Sequence, residues 1–320
     1  MAYAIDDVVA EVCAGVNARW RGIDPLLPRL PGHIEDGADY LVAWDRNRRP
    51  AGFAAYRRAW SPQDKLDQTW GTATKFVMRP RIAGPDVRTA LDQLLTQWQR
   101  DVTGQPGARD YDTAATVNWP SRDTAGILPL LSHGLQPMAV IAARRGGVPA
   151  DRPVPVDGLV IREAGPADLA AVTGMEMGVI RYDSQFGTAI VRPATEALVH
   201  AEATAALTNH RGWIWLAERN GRPAGLLAIQ PPQEAGWIAV MTSAAPAAYL
   251  QTLFVRPDER GGGVGARLVR RAHEALDAAG VGVTILHYSQ VNPLSGPFWN
   301  RMGYRPLWTT WESRPAAALR

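Results

Sequence analysis

Residues 249–266 read YLQTLFVRPDERGGGVGA, and this stretch decides the fold. Tyr249 to Val255 is apolar and β-prone, the pattern of a strand buried on at least one face. Pro257 and Asp258 end it. Arg260, Gly261, Gly262, Gly263, Val264, Gly265 and Ala266 follow and open an amphipathic helix, ARLVRRAHEALDAA. Backbone N–H groups at a helix start, with no Cβ in the way, make an anion site, and the helix dipole reinforces it. A phosphate or pyrophosphate is the guest such a loop suits.

Outward from this stretch, the second half reads as alternating strands and helices. A strand is expected at Leu159–Arg162 and a helix from Pro166, since Pro suits a first helical turn. Ala194–Thr208 is another helix. Trp213–Glu218 and Pro223–Gln230 flank Asn220-Gly221 as a hairpin. Trp237–Met241 reads as a further strand piece. A strand at Val283–Tyr288, a short helix near Leu294–Met302 and a last strand at Tyr304–Trp311 follow.

The pattern V-x-P-x-x-R-G-G-G-V-G-A resembles the acetyl-CoA loop of the GNAT N-acetyltransferases, whose core is R/Q-x-x-G-x-G/A. Downstream, N-P-L-S-G-P-F-W-N-R-M-G-Y resembles the family's second signature, through Asn292, Phe298, Gly303 and Tyr304. The resemblance implies a mixed sheet with the thioester arm of CoA in a gap between two strands. Leu253, Phe254 and Val255 would bind it through their backbone, like an added strand. Residues 260–266 would take the pyrophosphate and Asn292 would contact CoA. Trp299 stands where the family usually has a Tyr that protonates the leaving thiolate. An indole cannot supply that proton at neutral pH, so Trp299 is read as a cofactor contact or a packing residue.

The first half repeats the order of elements. Met78-Arg79-Pro80 aligns with Val255-Arg256-Pro257, and LLSHGLQPMAVIAARR resembles FWNRMGYRPLWTTWESR. In this copy Ala83 replaces Arg260, Pro85 replaces Gly262, Asp86 replaces Gly263 and Arg88 replaces Gly265. Pro85 lacks an N–H and Asp86 repels a phosphate. The expectation is α/β, with two tandem GNAT-like domains, each a mostly antiparallel twisted sheet flanked by helices. A degenerate copy without a cofactor loop occupies 1–145, a Gly/Pro-rich linker 146–158 and a GNAT domain 159–320. An unrelated α/β first domain is the alternative.

Composition narrows the function classes. Hydrophobic residues make up 46% and charged residues 20% of 320, as in globular chains. Basic residues are spread evenly at a net charge of +3, which argues against a nucleic-acid surface. Cys13 is the one cysteine, so no internal disulfide or Cys-based zinc site is expected, and no metal; the thiol reads as a small core residue. No apolar run is long enough to span a bilayer, and the N-terminus carries acids where a signal peptide carries basic residues. The cytoplasm is the expected compartment, with no membrane partner.

The proton chemistry stays open. The strand before the loop offers Tyr249 and Gln251 on one face, neither an ordinary base. His287 has a suitable pKa range against a structural reading, and Tyr288 is its neighbour. Glu176 and Asp183 lie where relatives cap the acceptor, though solvated surface acids are the plainer reading. Of twelve tryptophans, Trp213, Trp215, Trp237, Trp308 and Trp311 fall in strand patterns, as core or interface residues or as an aromatic acceptor pocket.

The reading that results is an acetyl-CoA-dependent N-acetyltransferase, a small-molecule amine attacking the thioester directly. A non-catalytic acyl-CoA sensor is the alternative. A dinucleotide oxidoreductase fails on context. Its glycine loop should follow the strand directly, with an acid about 20 residues on, whereas here RPDER intervenes and TILHY carries no acid.

Overall fold

The computed structural model describes residues 4–147, 158–209 and 212–320. In chain order the first half contains α1 (Ile5–Ile23), β1 (Asp39–Trp44), β2 (Pro50–Trp60), β3 (Thr74–Ile82), α2 (Val87–Thr103), β4 (Thr113–Pro120), α3 (Ile127–Ser132) and β5 (Gln136–Arg145). The second half contains β6 (Leu159–Glu163), α4 (Leu169–Ser184), α5 (Thr195–Asn209), β7 (Ile214–Arg219), β8 (Arg222–Gln230), α6 (Gly236–Ala239) and β9 (Ala247–Val255). It continues with α7 (Val264–Ala278), β10 (Val283–Ser289), α8 (Ser295–Arg301) and β11 (Arg305–Ser313). From β1 and β7 onward the two halves share one order, β-β-β-α-β-α-β, with α6 the one addition. The internal repeat is therefore present in the structure.

The chain folds as two compact units that are not consecutive in sequence. Unit 1 is residues 1–62, 72–141 and 306–320; unit 2 is residues 63–71 and 142–305. In unit 1 the strand order is β1-β2-β3-β4-β11, with β3 and β4 parallel and the other neighbours antiparallel. α2 packs on one face because Val87, Leu91, Leu94, Leu95, Trp98 and Val102 recur at helical spacing and are all buried. They meet Phe76, Met78 and Ile82 of β3, and Trp311 and Leu319 from the end of the chain complete that core. In unit 2 the order is β10-β9-β8-β7-β6. There β9 and β10 are parallel and the other pairs antiparallel.

Two expectations change. A boundary at 145/159 does not describe the units: β11 pairs with β4, Trp308 opposite Pro120 through Ser313 opposite Ala115, so the last strand of the second half closes the first half's sheet. Most of the expected linker, residues 148–157, lies outside the described residues. Trp237 does not sit on a strand; it belongs to the single helical turn α6 and is 54% exposed. Within unit 2, Leu66–Thr69 form a 3-10 turn. Leu66 packs there with Met177, Ile180, Ala189 and Val199, and Thr69 accepts from the Ile190 N–H at 2.8 Å.

Candidate active site

The site forms where β9 and β10 part. They pair only at Ala247–Val283, Ala248–Thr284 and Tyr249–Ile285. From Leu250 to Val255 this edge of β9 has no strand partner, while its other edge stays paired with β8. A backbone edge left open beside a strand end accepts an extended ligand as one more strand. Gln251 is the extra residue of a bulge, because Thr252 faces Ala228 and Leu250 faces Ile229. The bulge keeps Tyr249, opposite Gln230, and Phe254, opposite Leu226, on the face that α4 covers. Phe254 lies against Gly178 of α4, where a Cβ would come within 2.7 Å of the ring.

The glycine loop closes the open end. Gly263 is the N-cap of α7 at φ 80°, with no side-chain hydrogen bond capping the helix, and Gly261 has φ 79°. Both take the left-handed conformation that favours glycine. α7 thus presents N–H groups that no side chain of its own satisfies, which is the arrangement an anion needs. Arg260 is held by two contacts, its Nε donating to the Val255 carbonyl at 3.2 Å and its guanidinium over the Tyr182 ring at 5.0 Å. Val255 therefore offers less free backbone than Leu253 and Phe254. Arg219 was not anticipated. It pairs with Glu259 at 2.7 Å and reaches 3.7 Å from the Cβ position of Gly262, adding positive charge beside the loop.

At the closed end of the gap, the Tyr249 hydroxyl and His287 Nδ1 lie 3.1 Å apart. Trp237 stacks on His287 at 6.2 Å and meets Tyr249 edge-on at 4.9 Å. Its indole donates to Gln230 at 2.9 Å, and Gln230 donates to Gln251 at 3.3 Å. Tyr249, Gln251 and His287, named from sequence, are thus brought together, with Trp237 and Gln230 added by the fold. Burial raises the Tyr249 hydroxyl above the ordinary phenol range, so it stays protonated. His287 is exposed and can pass a proton to water. Tyr288 points elsewhere: its ring lies 3.9 Å from the Cβ position of Gly296 in α8, and burial raises its hydroxyl too.

Two carboxylates on α4 differ from the expectation of solvated acids. Glu176 and Asp183 are seven residues apart on the helix face that also carries Val172 and Ile180, both buried. Burial pushes Glu176 up to about 7, with the Glu202 charge adding to it. Burial pushes Asp183 up to about 6, against a hydrogen bond with Asn292 that lowers it. Asn292 is buried and also accepts from the Leu294 N–H at 3.0 Å. The signal was present in sequence, since MEMGVI sets one acid among apolar residues at helical spacing. Trp299 resolves toward packing: it is 7% exposed and its ring lies 5.0 Å from Phe298 and 5.3 Å from Tyr304. Among the described residues no group of three or more His, Cys, Asp or Glu side chains could hold a metal, and no helix is long and apolar enough to cross a membrane.

Comparison with known proteins follows the same lines. Residues 183–304 match the family model described as acetyltransferase (GNAT) family. The chain is similar in fold to a GCN5-related N-acetyltransferase from Sphaerobacter thermophilus at 13% identity and a TM-score of 0.60, over 97% of this chain and 92% of that one. It is also similar to the GCN5-related glucosamine N-acetyltransferase region of a fungal multi-domain GH3 β-N-acetylglucosaminidase. That match has 14% identity and a TM-score of 0.51, over 97% of this chain and 37% of that one. No curated protein matches by sequence.

Proposed function

We propose that the protein transfers an acetyl group from acetyl-CoA to the amine of a small molecule, a reading supported by the match of residues 183–304 to the acetyltransferase (GNAT) family model. The observation that carries this is the pairing of an open β9 edge with an uncapped α7 N-terminus at its end. An extended arm with a pyrophosphate at one end needs those two features in that order. Leu253 and Phe254 supply the backbone edge, residues 260–266 the phosphate cradle and Asn292 a polar contact from the far wall. The reactive end then falls at the bulge, beside Tyr249, Gln251 and His287.

The amine attacks the thioester carbonyl from the α4 side. A C–N bond forms, the C–S bond breaks, and the amine proton goes to His287, oriented by the Tyr249 hydroxyl. His287 is preferred to Glu176 because it adjoins the bulge and opens to water. The thiolate leaves without Trp299, which is buried and whose indole cannot supply a proton; a thiol is a good leaving group.

Thiol release from acetyl-CoA over a panel of small amines tests the reading. Turnover with at least one amine supports it. CoA binding without turnover favours the acyl-CoA sensor, and absence of CoA binding overturns both.

A further inference from the structure

Unit 1 contains a cavity that acetyl transfer does not use. It lies between α1, the proline-rich loop at residues 24–38 and the α1-facing side of β2 and β3, and it encloses about 290 Å³. That is far more than the ~30 Å³ share of a single water. The sequence builds it by alternation along β3. Met78 and Ile82 point into the α2 core, so Arg79 and Arg81 point to the other face, Arg81 directly opposite Phe53 on β2. The loop is fastened over them, with Asn17 of α1 bonding both the N–H and the carbonyl of Leu30, at 2.7 and 3.1 Å.

The two arginines are in different states. Arg79 is paired with Glu35, and Glu35 is also bonded to Tyr40. Arg81 has no carboxylate at ion-pair distance among the described residues. Its one hydrogen bond there runs from Nη1 to the neighbouring Pro80 carbonyl at 3.0 Å, and its guanidinium lies 5.0 Å over the Trp20 ring. Burial lowers Arg81 to about 10, which still leaves it charged at neutral pH. Arg81 is half-buried, and its remaining N–H groups are not sealed from solvent, so they open to the cavity and are available to an anion.

We propose that unit 1 is a binding site for a small organic carboxylate, its carboxylate on Arg81 and its apolar body against Phe53 and Ile34. A planar carboxylate matches the guanidinium fork with two parallel hydrogen bonds. A phosphate dianion suits the site less well, because Glu35 and Asp36 also line the cavity and one unpaired cation balances one charge. The site is independent of the acetyl-transfer reading, since none of its residues lies in unit 2.

The test is ligand-observed fluorine NMR and calorimetry of the full chain with 4-fluorobenzoate at pH 7, alongside 4-fluorobenzylamine and inorganic phosphate. The expected result is 1:1 binding of 4-fluorobenzoate, no binding of the amine and no competition by phosphate. Arg81→Gln should weaken binding at least tenfold and Gly263→Asp should leave it unchanged. Arg81→Lys keeps the charge, loses the fork and serves if Arg81→Gln does not fold; it should weaken binding several-fold. No binding of 4-fluorobenzoate, equal affinity in the Arg81 variants, loss in Gly263→Asp or equal competition by phosphate would each overturn the assignment.

Discussion

The N-termini of α2 and α7 follow equivalent strands, yet one is closed and the other open. Asp86 caps α2, its carboxylate accepting from the Thr89 N–H at 3.0 Å. Gly263 caps α7 with nothing. The strands before them differ in the same sense. β3 stays in register with β2 over nine consecutive pairs and with β4 over five. β9 carries a bulge against β8 and keeps three pairs with β10. One frame thus serves two outcomes. Where the helix supplies its own anion it leaves no site for a phosphate, and four residues of β3 lie beyond its pairing with β4; where the cap is glycine the site is open, and six residues of β9 lie beyond its pairing with β10.

The comparison can be broken from either side. Gly263→Asp gives α7 the cap of α2, and acetyl-CoA affinity should fall more than 100-fold by calorimetry. The cost to the fold should be about 1 kcal/mol, for an L-residue at positive φ. Retained affinity would mean that the loop is not the phosphate site. Next in size, His287→Gln removes a proton acceptor that unit 2 places at its strand junction. We expect kcat to drop 10- to 100-fold, of the order general base catalysis supplies, with KM for acetyl-CoA unchanged. If Glu176→Gln does this instead, the base is Glu176.

Smaller effects sharpen the picture. Asp86→Ala should destabilise the protein by about 1 kcal/mol in urea, the worth of an N-cap. It should create no second CoA site, so stoichiometry stays at one per chain. The inner faces of α1 and α4 give the last prediction. That of α1 is apolar, with Val8, Val9, Val12, Val16 and Trp20 buried. That of α4 holds Glu176, whose carboxyl is pushed up to about 7. The folded state therefore holds a proton that the unfolded chain releases near pH 4–5, and stability is lost as pH rises from there through 7. Glu176→Gln should add about 1 kcal/mol at pH 8 and nothing at pH 4, measured by urea titration at both.

Local pattern made some of this readable in sequence. Strand, glycine loop, amphipathic helix and the Asn292 signature are each set by neighbours in the chain, and so is the contrast between Asp86 and Gly263. Pairing partners are not. The alternation at residues 305–313 suits any sheet edge, and nothing in it says that Trp311 will bury itself against α2 of unit 1. The Gln251 bulge comes from register against β8, which a single strand does not encode. Trp237 looked like strand because Trp-Ile-Ala-Val is apolar, yet four such residues fit one helical turn as well. Arg81 was visible as a basic residue, but its enclosure depends on Asn17 holding a loop thirteen residues away.

The position of β11 has a consequence for synthesis. The sheet of unit 1 runs β1-β2-β3-β4, and the neighbour of β4 is not made until residues 305–313 leave the ribosome. At ordinary elongation rates the 184 residues between the end of β4 and the start of β11 take roughly 10–40 s. For that interval β4 presents an unpaired edge, the kind of surface on which nascent chains associate wrongly. The part of the molecule translated first is finished last, and a chain stalled before Arg305 leaves the ribosome with unit 1 still open.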